Sequence, residues 1–166
     1  HADHDISVLD INDINDIKIA GYYQTTEPVL DIMIDDTIAY IASGKAGLTL
    51  LDISEPNHIK WLGSHQKLGQ VQRVAIPINN SPDINVSVVN DKHQIYLMDI
   101  SKPAMPSILS SISLSGPINN IYISESDVYA SSDHELLTLD FSASPPQISN
   151  EGLDFGQGVN LGGQRR

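Results

Sequence analysis

Cysteine is absent from the 166-residue chain. That excludes disulfides, thiolate chemistry and cysteine-ligated zinc. Aromatic residues are scarce at 5%, so a core must come mostly from Ile, Leu and Val. Basic residues are few: 9 Lys and Arg face 21 Asp and Glu, a formal net charge of −12. A field of that sign repels phosphate backbones and anionic bilayers, so neither nucleic acid nor an acidic membrane is an expected partner. No apolar run approaches the roughly 18 residues of a membrane-spanning helix. The chain opens on His1 rather than Met, which reads as a cleavage or a cut, and no signal peptide is in view.

What is present points to sheet. Hydrophobic residues make up 40% of the chain, too many for a disordered segment. The aliphatic, β-branched palette suits pleated surfaces. Four copies of one short pattern stand out: Val8-Leu9-Asp10-Ile11, Leu50-Leu51-Asp52-Ile53, Leu97-Met98-Asp99-Ile100 and Thr138-Leu139-Asp140-Phe141. Their aspartates are 42, 47 and 41 residues apart. A unit of about 42 residues is the size of a four-stranded propeller blade. The longer spacing reads as an insertion at residues 78–83.

The second unit shows the expected strands: Val29 to Ile34, Ile38 to Ala42, Leu48 to Ile53 and Ile59 to Ser64. Gly, Pro, Asn and Asp punctuate them. The fold class is therefore all-β, a β-propeller of four-stranded blades. The units are 1–23 (partial), 24–65, 66–113, 114–151 and 152–166 (partial), roughly three whole blades and two partial ones in one domain. Each repeat Asp sits at a strand end before a turn, where its carboxylate can accept backbone N–H groups.

The segments Leu50-Leu51-Asp52-Ile53-Ser54-Glu55-Pro56 and Leu97-Met98-Asp99-Ile100-Ser101-Lys102-Pro103 resemble the LVIVD repeat. Ile38-Ala39-Tyr40-Ile41-Ala42 and Val128-Tyr129-Ala130 resemble the strand that precedes it in that family. The resemblance runs from Ile6 to about Ile148. It implies a β-propeller of an exported, periplasmic or cell-surface protein, and it carries no catalytic motif.

Several residues are candidates for a site. His4, His93 and His134 each lie six residues before a repeat Asp, beside Asp3 and Asp133, while Ala46 holds that place in the second unit. They are expected on equivalent turns along one face, where a ring of His and carboxylates could catch a divalent metal or an anion. Blade geometry spaces such turns too widely for shared ligation, so polar turns are the simpler reading. Asp31, Arg73, Asn119 and Asn120 are expected on innermost strands, lining a channel, with Asn160. Calcium or another divalent ion is considered at Asp10 to Asp16. That segment lacks the Gly and Glu of an EF-hand and aligns with plain turns elsewhere. Gly152 to Gly163 is Gly-rich without a following helix, and reads as an inter-blade connection. Trp61 and the six tyrosines read as packing residues. No nucleophile elbow or zinc-protease helix occurs.

The expectation is a non-catalytic protein-binding or scaffold module without a cofactor. A protein partner or second chain would complete the ring. The alternatives are an enzyme whose channel site is completed by blades outside this chain, and a structural assembly subunit.

Overall fold

Among the described residues fourteen strands arise where the hydrophobic alternation has period two. The structure, a computed structural model, describes residues 5–77, 85–124 and 127–154. The first sheet pairs β1 (Asp5–Asp10) with β2 (Lys18–Gln24). The second is β3 (Asp31–Asp35), β4 (Ile38–Ala42), β5 (Leu48–Asp52) and β6 (Lys60–His65), with a short 3-10 turn at Pro56–His58. The third is β7 (Val71–Ala75), β8 (Asn85–Asn90), β9 (Gln94–Asp99) and β10 (Ser107–Ser113). The fourth is β11 (Asn120–Ser124), β12 (Asp127–Ser131), β13 (Glu135–Asp140) and β14 (Gln147–Asp154). Each sheet is an antiparallel meander in chain order. Among the described residues no helix is long and apolar enough to cross a membrane. The expected insertion at 78–83 lies outside the described residues.

The repeat aspartates close their strands as expected. Asp10, Asp52, Asp99 and Asp140 each accept the backbone N–H two residues on, from Asn12, Ser54, Ser101 and Ser142, at 2.8–3.0 Å. Opposite each one the outermost strand carries a bulge. Leu9 pairs Ile19, Leu51 pairs Trp61, Met98 pairs Ile108 and Leu139 pairs Ile148, with the register slipping beside every pair. A bulge bends and twists an edge strand, so all four outer strands turn at the same place.

The sheets stack face to face in chain order. Ile6 and Tyr23 of the first sheet pack on Ala39, Ile41 and Leu51 of the second. Tyr40, Leu48 and Leu50 on its other face pack on Val74, Val86, Val88 and Met98 of the third. Val89 and Ile95 then meet Ile121, Val128 and Leu139 of the fourth. Two glycines fix the spacing. A Cβ on Gly21 would lie 1.5 Å from the Pro56 carbonyl oxygen, and one on Gly63 would lie 2.2 Å from that of Pro103. The proline turns of the second and third sheets thus lie directly against the outermost strand of the sheet before. His65 adds an Nδ1 contact of 2.9 Å to the Pro106 carbonyl.

Two expectations are corrected. The last whole unit does not stop at residue 151. β14 runs to Asp154, because Glu135 and Leu136 pair with Asp154 and Leu153, so residues 152–154 finish the fourth sheet. The aromatic residues are not all packing residues either. Tyr40 is buried, but Trp61, Tyr22 and Tyr122 are about half exposed, because outer and terminal strands have no sheet over them.

Candidate functional site

The histidine face is built from tight turns. His93 closes the β8–β9 turn with a positive φ of 59°. Its N–H donates to Asn90, and its carbonyl accepts the N–H of Leu114. His134 lies in the β12–β13 turn and donates its N–H to the Ser132 hydroxyl at 3.2 Å. Asp133 accepts the Asn119 amide at 2.6 Å. His4 and Asp3 lie outside the described residues. Among the described residues no three His, Asp or Glu side chains gather into a metal-binding group. In the Asp10–Asp16 loop, Asp10 and Asp13 accept N–H groups of their own turns, and Asp16 pairs with Lys18 at 2.6 Å. Those carboxylates serve the loop itself.

The channel residues occupy one equivalent position. Asp31 pairs with Ala42, Arg73 with Val89 and Asn120 with Ser131, at matching register positions of the innermost strands. Each interior one reaches the next sheet. Asp31 Oδ2 accepts the Val74 N–H at 3.1 Å, and Arg73 Nε donates to the Asn119 carbonyl at 3.1 Å. In the last sheet Asn120 instead accepts the N–H of Ile121. These side chains staple neighbouring inner strands. The structure brings Arg73 to Asn119 and Asn119 to Asp133, and assembles no reacting pair from them.

Concave space lies elsewhere, at two places related by the repeat. One cleft of about 190 Å³ opens between the β2–β3 connection and the β4–β5 turn, lined by Gln24, Glu27, Ser43, Thr49, Trp61 and Gln66 among others. A second of about 290 Å³ opens between the β10–β11 connection and the β12–β13 turn, lined by Ser131, Glu135, Leu137 and Ile148 among others. The paired strands match Ser43 to Ser132, whose hydroxyl accepts the N–H groups of His134 and Glu135, and Thr49 to Leu137. The bulge register matches Trp61 to Ile148. The matching space in the third sheet is filled. Its connection spans the same eight-residue step, His65 to Arg73, as Tyr23 to Asp31 and Ile112 to Asn120. It inserts Leu68, which is buried. Asn90, which matches Ser43, donates to the Leu68 carbonyl and to Gln94. The sequence reading missed these clefts; the signal was the apolar Leu68 in the third sheet's connection.

Perturbed titrations belong to the scaffold. The Ser54 hydroxyl and then its N–H hold the Asp52 carboxyl below its ordinary 3.8. The Ser101 N–H and then its hydroxyl do the same for Asp99, as the Ser142 hydroxyl and N–H do for Asp140. Burial, and then the charge of Asp35, push the Tyr40 hydroxyl up to about 12. A carboxylate that accepts such bonds is stabilised in its charged form.

No family model matches the chain, and no curated protein matches its sequence. Solved structures do share its fold. The crystal structure of Hsv2 from Kluyveromyces marxianus superposes with a TM-score of 0.56 at 15% identity, over 80% of this chain and 39% of Hsv2. Hsv2 with one loop replaced by a Gly-Ser linker gives 0.58 at 13% identity, over 79% and 41%. PorZ of Porphyromonas gingivalis, described as an essential bacterial surface component of the type-IX secretion system, gives 0.54 at 17% identity, over 93% and 20%. The chain spans less than half the length of each of these structures. Its all-β architecture is like that of β-propeller proteins.

Proposed function

We propose that the chain is a non-catalytic binding or scaffold segment of a β-propeller, exported or displayed at a cell surface, whose ring a second copy of the chain completes. One observation carries this reading. Leu9 occupies the position of Leu51, Met98 and Leu139, which are each 0% exposed, yet Leu9 is 52% exposed. Ile11 takes the place of the buried Ile100 and is 65% exposed, and Ile14 takes the place of Pro56 and Pro103 and is 74% exposed. Ile17 and Ile19 extend the same surface. This is the back of the first sheet, and in the other three sheets the back is covered by the sheet before.

The other end of the stack carries the complementary chemistry. Leu136 matches Leu48 and Ile95, both fully buried on the front faces of their sheets, and is exposed together with Tyr122. Tyr122 and Tyr129 lie side by side with ring centroids 6.5 Å apart and planes tilted at 46°. A front face of the kind that covers sheets two to four is therefore available on a second copy. Two copies of four sheets make eight, within the range at which propellers close. Contiguous exposed apolar surface of this kind marks an interaction site. PorZ's surface role and the LVIVD resemblance support the exported location. The perturbed carboxylates all serve turns, which supports the non-catalytic reading.

Light scattering across a dilution series of the full chain tests the proposal. The expected mass is twice the 18.1 kDa of one chain. A monodisperse monomer at every concentration overturns it.

A further inference from the structure

The cleft of the second sheet has features that its relatives in the third and fourth sheets lack. Ser43 is 3% exposed, and its hydroxyl oxygen has no hydrogen-bond partner among the described residues. It lines the cleft. An unmatched buried hydroxyl costs about 1–3 kcal/mol, and the third sheet shows how the same fold avoids that cost. There Asn90 stands at this position with its amide and carbonyl both engaged, to Leu68, Gln94 and Lys92. Tyr96, which matches Thr49, donates to the same Gln94. The third sheet fills its cleft with its own polar groups, whereas the second sheet leaves a buried hydroxyl unmatched in the wall of an open cleft.

The lining selects the chemistry of what enters. Gln24, Thr49, Ser43 and Gln66 offer neutral donors and acceptors, and Trp61 offers an indole that is 55% exposed. Amides and hydroxyls around an exposed aromatic ring match a polyol with one apolar C–H face. At roughly 30 Å³ per water the cleft holds about six waters' worth of ligand, the scale of one sugar ring. Glu27 in the lining and the net charge of −12 disfavour acidic sugars and phosphate esters. The fourth sheet replaces Thr49 and Trp61 with Leu137 and Ile148, so its larger cleft lacks this combination.

We propose that the cleft between the β2–β3 connection and the β4–β5 turn binds a single neutral sugar ring, with the Ser43 hydroxyl as its buried partner and Trp61 as its stacking face. The site does not depend on how the ring of sheets closes.

Trp61 is the one tryptophan of the chain, so its fluorescence reports on this cleft alone. The full chain is titrated with the methyl glycosides of glucose, galactose, mannose and N-acetylglucosamine. The proposal expects a saturable change with at least one of them and a Kd in the millimolar range. Ser43→Ala weakens that binding about tenfold, the loss of one buried hydrogen bond. Gln66→Ala, at an exposed position, weakens it too and keeps the test open should Ser43→Ala misfold. An oligosaccharide ending in the same sugar that binds tighter than the glycoside identifies a glycan as the source, and equal binding identifies the free sugar. No saturable response to any of the four glycosides overturns the proposal. So does binding unchanged in folded Ser43→Ala, or a response to spermidine or inorganic phosphate in place of sugar.

Discussion

The back face of the first sheet and the back faces of the other three are written in nearly the same residues, yet one lies open and the others are sealed. Leu9 and Leu51 share a strand position, a neighbouring Asp and an opposing bulge. Only the second has a sheet over it. Burial in this fold is therefore conferred by the neighbouring sheet rather than by the residue. A repeat that cannot bury its own faces gains stability from its interfaces.

The largest expected effect sharpens that contrast. Leu51→Ala, in a fully buried site, should lower unfolding stability by about 2–5 kcal/mol. Leu9→Ala should cost the isolated chain under about 0.5 kcal/mol. Urea denaturation of the two variants measures the difference, and equal losses would show that the first sheet's back is already covered.

A smaller effect separates glycines by what lies above them. Gly63→Ala drives a Cβ against the Pro103 backbone and should cost about 1–3 kcal/mol. Gly116 has nothing within 4 Å of an added Cβ, so Gly116→Ala should be neutral or stabilising by up to about 1 kcal/mol. Thermal melting of both variants checks the ordering. Gly63→Ala as stable as the parent would mean that the proline turn does not set the spacing of the sheets.

The smallest effect concerns acid. The carboxyls of Asp52, Asp99 and Asp140 titrate below 3.8 in the folded chain. Their stabilising contribution is present above that value and is lost as pH falls through the lower folded values. All three are solvent-exposed, so the effect is modest and screened. Urea midpoints should therefore fall below about pH 4, and the fall should flatten when all three are changed to Asn. An unchanged slope in that triple variant would mean that other groups govern the acid limb.

Much of the fold was legible in the sequence because its repeating element is chemical. An Asp that must accept the N–H two residues on, before a Ser or Asn, leaves the same letters at 10, 52, 99 and 140. Strand count and order followed from alternation between such turns. The site was less legible. Whether Ser43 lines an open cleft depends on having no counterpart to Leu68 and no Asn90 in its own place, and both matter only after the sheets stack. Arg73 and Asp31 looked like channel chemistry because one sequence cannot show that each meets the backbone of the next inner strand. The exposure of Trp61 likewise depends on what lies across the outermost strand, which periodicity does not encode.

We infer that the first sheet receives a second copy in the same register that joins the sheets within one chain. Pro56 lies against Gly21. By that register Ile14 should meet position 150 of the second copy, since Asn150 pairs with Thr138 as Gly21 pairs with Val8. The chain has no native cysteine, so disulfide trapping with Ile14→Cys and Asn150→Cys is unambiguous. A one-to-one mixture of the two single variants should give a covalent dimer under mild oxidation, in excess of either variant alone. No cross-link above the level of the single variants would contradict it.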